Sequence, residues 1–101
     1  MSLIIVLGQI DLHAEDAAAA EVLMRTMTME TSKEQGCIHY AYSRDLAVAQ
    51  RFQLSELWEN EESLAAHLKA AHTATYRAGI GKLRVAKRSV KKYEVTNAQE
   101  L

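Results

Sequence analysis

The chain has 101 residues, 49% apolar and 25% charged, with no proline and four glycines, which fits one globular domain and excludes collagen-like and proline-rich disordered chains. Formal net charge is −1, yet residues 1–76 carry 5 basic and 11 acidic side chains and residues 77–101 carry 7 basic and 2 acidic ones. That near balance is far from the basic excess of a nucleic-acid binder, so the stretch from Arg77 to Lys92 is expected to be a solvated surface, with no nucleic-acid partner.

The run Leu3–Leu7 (LIIVL) is apolar throughout, and Ile10 and Leu12 then alternate with Gln9 and Asp11. Short and β-branched, it predicts a strand whose apolar side chains serve both faces of a sheet. From Ala14 to about Gln35 the period is helical, with Ala20, Leu23, Met24, Met27 and Thr31 on one stripe. Glu15 and Asp16 lie in its first turn, where the helix dipole favours negative charge, and Gly36 is a natural stop. Residues 37–43 (CIHYAYS) and 51–59 (RFQLSELWE) predict two strands joined by a hairpin-length connection. Phe52, Leu54, Glu56 and Trp58 share one face of the second. In the first, the face of His39 and Ala41 and the face of Ile38, Tyr40 and Tyr42 are equal candidates to meet the helices. A second helix starts at Asn60, a good N-cap followed by Glu61 and Glu62, and carries the stripe Leu64, Leu68, Ala71, Thr75 and Ala78 until Gly79 and Gly81 loosen it. Residues 89–96 make a weaker last strand, and the tail after Thr96 is expected to fray.

The order βαββαβ predicts an α+β, ferredoxin-like domain spanning residues 1–101, its core at about 3–96, with a four-stranded antiparallel sheet and both helices on one face. The other face, fed by LIIVL, is expected to pack on a second copy, giving a homodimer. No apolar run reaches the roughly 20 residues of a membrane span, and Met1-Ser2-Leu3 lacks the basic stretch of a signal peptide, so none is expected. With Cys37 the only cysteine, no internal disulfide can form, and a cytoplasmic protein with no membrane partner is expected.

Glycine-rich phosphate loops and the GxSxG, CxxC and HExxH motifs are missing from the sequence. His67 and His72 are five apart and would point about 140° apart on a continuous helix, unlike the i,i+4 pair that grips zinc, so no metal site is expected. Cys37 reads as a strand residue rather than a reactive thiol. His67 falls on the apolar helical stripe, and Glu56 on an otherwise apolar strand face two residues before Trp58. A carboxylate in that position needs a partner or becomes a raised-pKa acid. Pairing with His67 would satisfy both groups and poise the imidazole as a base; a structural ion pair with an arginine is the alternative. His72 and Tyr76, at i and i+4, suit a pocket mouth.

These residues carry a resemblance. Gly36-Cys37 leading into a strand, then Asp45, then Glu56-x-Trp58 with Leu64, His67 and His72 following, is similar to the antibiotic biosynthesis monooxygenase family from about Ile4 to Val95. The resemblance implies a ferredoxin-like protomer in a homodimeric α/β barrel. It also implies oxygenation of a small phenolic or quinol-type aromatic by O2, with no flavin, haem or metal cofactor, in a pocket between sheet and helices. On the matched positions His67, His72 and Glu56 would carry catalysis. Trp58 would pack the substrate, joined by Phe52, Tyr76 and His39 as walls. The haem-degrading branch places an Asn on the first strand where Gly8 stands here, and a Trp near His67, which argues against haem degradation. The wider superfamily includes isomerases of small signalling sugars and proteins without known activity, so a non-catalytic ligand-binding or sensing barrel and an isomerase are the alternatives.

Overall fold

The computed structural model describes residues 2–101. Strand β1 (Leu3–Leu12) leads through a 3-10 turn at Ala14–Asp16 into helix α1 (Ala17–Thr31). The hairpin β2 (Cys37–Arg44) and β3 (Arg51–Trp58) follows, then helices α2 (Glu61–Leu68) and α3 (Ala71–Ile80) and strand β4 (Val85–Val95). The sheet order is β2-β3-β1-β4, with every neighbouring pair antiparallel. This is the expected ferredoxin-like arrangement.

The helices cover one sheet face. Ile4, Val6, Ile10 and Leu12 of β1 and Phe52, Leu54 and Trp58 of β3 are buried against Ala17, Ala20, Met24 and Met27 of α1 and Leu64 of α2. The β1 residues in between point away: Leu7 is 50% exposed, and Tyr93 of β4 on the same face is 47% exposed. LIIVL thus feeds both faces, as its lack of alternation requires.

Three differences from expectation have local causes. The predicted second helix is two helices. Lys69 closes α2, and Ala70 takes an extended backbone (φ −66°, ψ 149°) before α3. The buried stripe is consequently Leu64, His67 and Thr73, while Leu68, Ala71, Thr75 and Ala78 are exposed. The first helix stops at Thr31, and a chain of turns (Glu34 N–H to the Thr31 carbonyl at 2.9 Å, Cys37 N–H to the Glu34 carbonyl at 3.2 Å) carries the backbone into β2 through Gly36 at φ +82°. The last strand begins at Val85 because it pairs along almost the whole of β1, not because of its own pattern. Residues 97–101 carry no regular structure. No helix among the described residues is long and apolar enough to cross a membrane.

Candidate functional site

Between the sheet and the helices lies a cavity of about 290 Å³. Val6, Leu54, Tyr40 and Tyr42 form its sheet wall, Leu64, His67 and Tyr76 its helix wall, and Glu56 is the acidic residue that lines it. Strand register explains the set. Lys92, Val6, Glu56 and Tyr40 form one row across the four strands, and Val90, Gly8, Leu54 and Tyr42 the next. In the second row a methyl group on Gly8 would meet Val90 Cγ2 at 2.9 Å, so Gly8 lets β4 and β3 side chains close over β1. The face of Tyr40 and Tyr42 is therefore the one that meets the helices.

His67 is 3% exposed, between Trp58 (ring centroids 4.9 Å apart) and Tyr40 (5.5 Å). Its Nδ1 lies 2.6 Å from Glu34 Oε2, and His72 Nε2 reaches the same oxygen at 2.9 Å. With the carboxylate accepting, Nδ1 carries the proton and donates, which leaves the Nε2 lone pair unused. Among the described residues Nε2 makes no hydrogen bond, and no buried side-chain nitrogen or oxygen lacks a partner. Nε2 accordingly opens onto the cavity that His67 lines. Burial holds the His67 pKa below its ordinary value, against the opposing pull of Glu34.

Glu56 is 6% exposed and accepts a 2.8 Å hydrogen bond from Trp58 Nε1. Burial pushes its pKa up to about 7, more than the Trp58 bond lowers it, with the Glu34 charge adding to the rise. The Tyr42 hydroxyl donates to that of Tyr76 at 3.1 Å, and burial raises both tyrosines above their usual range.

The histidines meet because the helix breaks. The extended residue Ala70 turns α3 so that His72, one turn further on, faces back towards His67 with ring centroids 6.1 Å apart. Thr73 Oγ1 donates to the His67 carbonyl at 2.7 Å and fixes that turn. The 140° divergence expected of a continuous helix does not apply. Glu34, His67 and His72 bring three potential ligand atoms within 4.8 Å of one another, the one such group among the described residues. In this structure both histidine nitrogens are hydrogen-bonded to the Glu34 oxygen.

The expected pairing of Glu56 with His67 is corrected: Glu34 holds His67, and Trp58 holds Glu56. Trp58 (0% exposed) and Phe52 (2%) lie in the core and do not line the cavity. Phe52 instead carries the Arg44 guanidinium 4.4 Å over its ring. His72 stands behind His67, also in contact with Thr31 Oγ1 at 3.3 Å. His39 lies on the open sheet face, bonded to Ser55 Oγ at 2.8 Å, far from the cavity wall that Tyr76 does join. Glu34 escaped the sequence reading, and Tyr40 and Tyr42 entered it only as one of two candidate faces. An acidic residue near the end of a helix usually faces water, and nothing in its spacing marks Glu34.

The family model described as antibiotic biosynthesis monooxygenase matches residues 3–79. Among solved structures, the chain is similar to a Deinococcus radiodurans protein provisionally named an antibiotic biosynthesis monooxygenase (26% identity, 97% of each chain covered, TM-score 0.91). It is also similar to a conserved Bacteroides thetaiotaomicron protein of unknown function, called a possible oxidoreductase (30% identity, 92% of this chain and 97% of that one, TM-score 0.85). A conserved Methanosarcina mazei protein shares the fold (24% identity, 92% of each chain, TM-score 0.85). Among curated proteins no match is found.

Proposed function

Because this chain belongs to the antibiotic biosynthesis monooxygenase family, we propose that it is a monooxygenase that oxidises a small phenolic or quinol-type aromatic with O2, without flavin, haem or metal, and that it works as a homodimer. The observation that carries the reading is His67. Its Nδ1 is tethered to Glu34 and its Nε2 opens on a largely apolar cavity beside Glu56.

In this reading His67 Nε2 takes the proton of the bound phenol, and Glu34 stabilises the imidazolium, with His72 holding Glu34 in place. The phenolate is electron-rich enough to reduce O2 itself. One-electron transfer followed by radical recombination forms a C–O bond at a ring carbon that bears hydrogen. The resulting hydroperoxide loses water as its O–O bond breaks and that carbon gives up its hydrogen. Phenol plus O2 becomes quinone plus H2O, with one oxygen atom kept and the other reduced to water. Glu56, poised near neutrality, is the group placed to protonate the leaving hydroxide. Trp58 and Tyr40 hold the imidazole ring plane.

The second copy fits the sheet face that no helix covers, where Leu7 and Tyr93 are about half exposed.

The test is oxygen uptake against a panel of phenols and quinols, aerobically and anaerobically, with and without EDTA. The expected result is one O2 consumed per quinone formed, no turnover without O2, and no loss on chelation. His67→Ala should lower turnover by about 10²–10⁴-fold, the usual contribution of a general base. A panel without O2-dependent turnover, or a fully active His67→Ala, would overturn the reading.

A further inference from the structure

The cations of residues 77–92 are not spread over a featureless surface. Arg77 of α3 and Arg88, Lys91 and Lys92 of β4 all line the cavity. Only Lys92 of these four is ion-paired among the described residues, to Glu61. The one acidic group lining the cavity, Glu56, sits on β3 in the same row as Lys92, two strands away, or about 10 Å at the ordinary strand spacing. The site is therefore polarised. Glu56 and His67 stand at the inner end, the unpaired Arg77 of α3 and Arg88 of β4 at the outer one, and apolar side chains lie between. Unpaired cations along one side of a partly enclosed cleft concentrate an oppositely charged ligand, and arginine forks match the two oxygens of a carboxylate or phosphate.

We propose that the cavity selects aromatics that carry an anionic group, a carboxylate or a phosphate, which Arg77 and Arg88 hold at the rim while the ring hydroxyl reaches His67. The apolar middle takes the ring, so the acidic group and the hydroxyl are carried on opposite sides of it. The placing of the hydroxyl rests on the monooxygenase reading; the selection of an anion does not, since it concerns binding alone.

The experiment is titration calorimetry under nitrogen with three probes: 4-hydroxyphenylpropionate, its uncharged amide, and 4-hydroxybenzyl phosphate. The acid or the phosphate should bind at least about tenfold more tightly than the amide, the order expected of one charge-assisted contact. That preference should shrink as salt rises and should collapse towards one in Arg77→Gln and Arg88→Gln, whose thermal midpoints should stay at the wild-type value because both side chains are exposed. Whichever anion binds more tightly identifies the group. Equal affinity for acid and amide, a preference that survives both substitutions, or no binding by any probe would overturn the proposal. Anion selection without any O2 uptake would leave it standing and sink the monooxygenase reading instead.

Discussion

Glu56 and His67 face the same cavity with opposite titration behaviour. Glu56, raised from 4.5 to about 7 in the fold, keeps its proton between those values while the unfolded chain has lost it. Its contribution is therefore fully present below pH 4.5, falls as pH rises, and is gone above about pH 7. Glu56→Gln keeps an oxygen for Trp58 Nε1 and removes the titration. Relative to wild type, it should gain about 2–3 kcal/mol between pH 5 and pH 8, measured by denaturant unfolding at both. His67 runs the other way. With its pKa depressed by burial, the unfolded chain protonates first, so its contribution is complete above pH 6.5 and is lost as pH falls below that. If Nε2 is the base and Glu56 the acid, kcat/KM should fall on the acid side of 6.5 as His67 is protonated, and again on the alkaline side of about 7 as Glu56 loses its proton. An acid limb centred above 6.5 would take the base role from His67.

At the scale of the element, two short connections build the site. The turn from Thr31 to Cys37 carries Glu34 back over α2, and the break at Lys69–Ala70 brings His72 round to meet it. Gly36 closes the first turn at φ +82°, with the Ser63 side chain filling the space a methyl group would need. Gly36→Ala would meet both the strained backbone and that side chain. It should cost about 1–3 kcal/mol of stability and loosen the hold of Glu34 on His67, seen as a lower thermal midpoint together with slower turnover. These connections also mark how far the sequence could be read. The strands, α1 and the Asn60 cap, whose side chain accepts from Ser63 N–H at 2.8 Å, follow from periodicity and capping. So does Glu56, because a carboxylate stands out on an apolar face. The helix break does not, since neither Lys69 nor Ala70 is a breaker. Its stabilising contact, from Thr73 to the His67 carbonyl, is a side-chain bond that period alone does not encode. With the break unread, the stripe was misassigned, the histidines diverged and Glu34 had no reason to be named.

In the whole molecule the sheet has helices on one face only, and the other presents Ile5, Leu7, Leu57 and Tyr93 side by side. If a second copy covers that face, Leu7→Glu should convert the dimer into an 11.3 kDa monomer in sedimentation, with its far-ultraviolet circular dichroism unchanged, because the substituted side chain points away from the helix-packed core. A protein that sediments as a monomer before the substitution would show that the face stays open. The sheet order has a further outcome along its rim. β4 is an outer strand of eleven residues, and its free amides and carbonyls form a template on which another chain could extend the sheet. Lys87, Arg88, Lys91 and Lys92 are strung along it, so two such edges repel as they approach. These edge cations, Arg88 of the cavity rim among them, thus also act as gatekeepers against ribbon-like aggregation, and a variant stripped of them should lose solubility before it loses its fold.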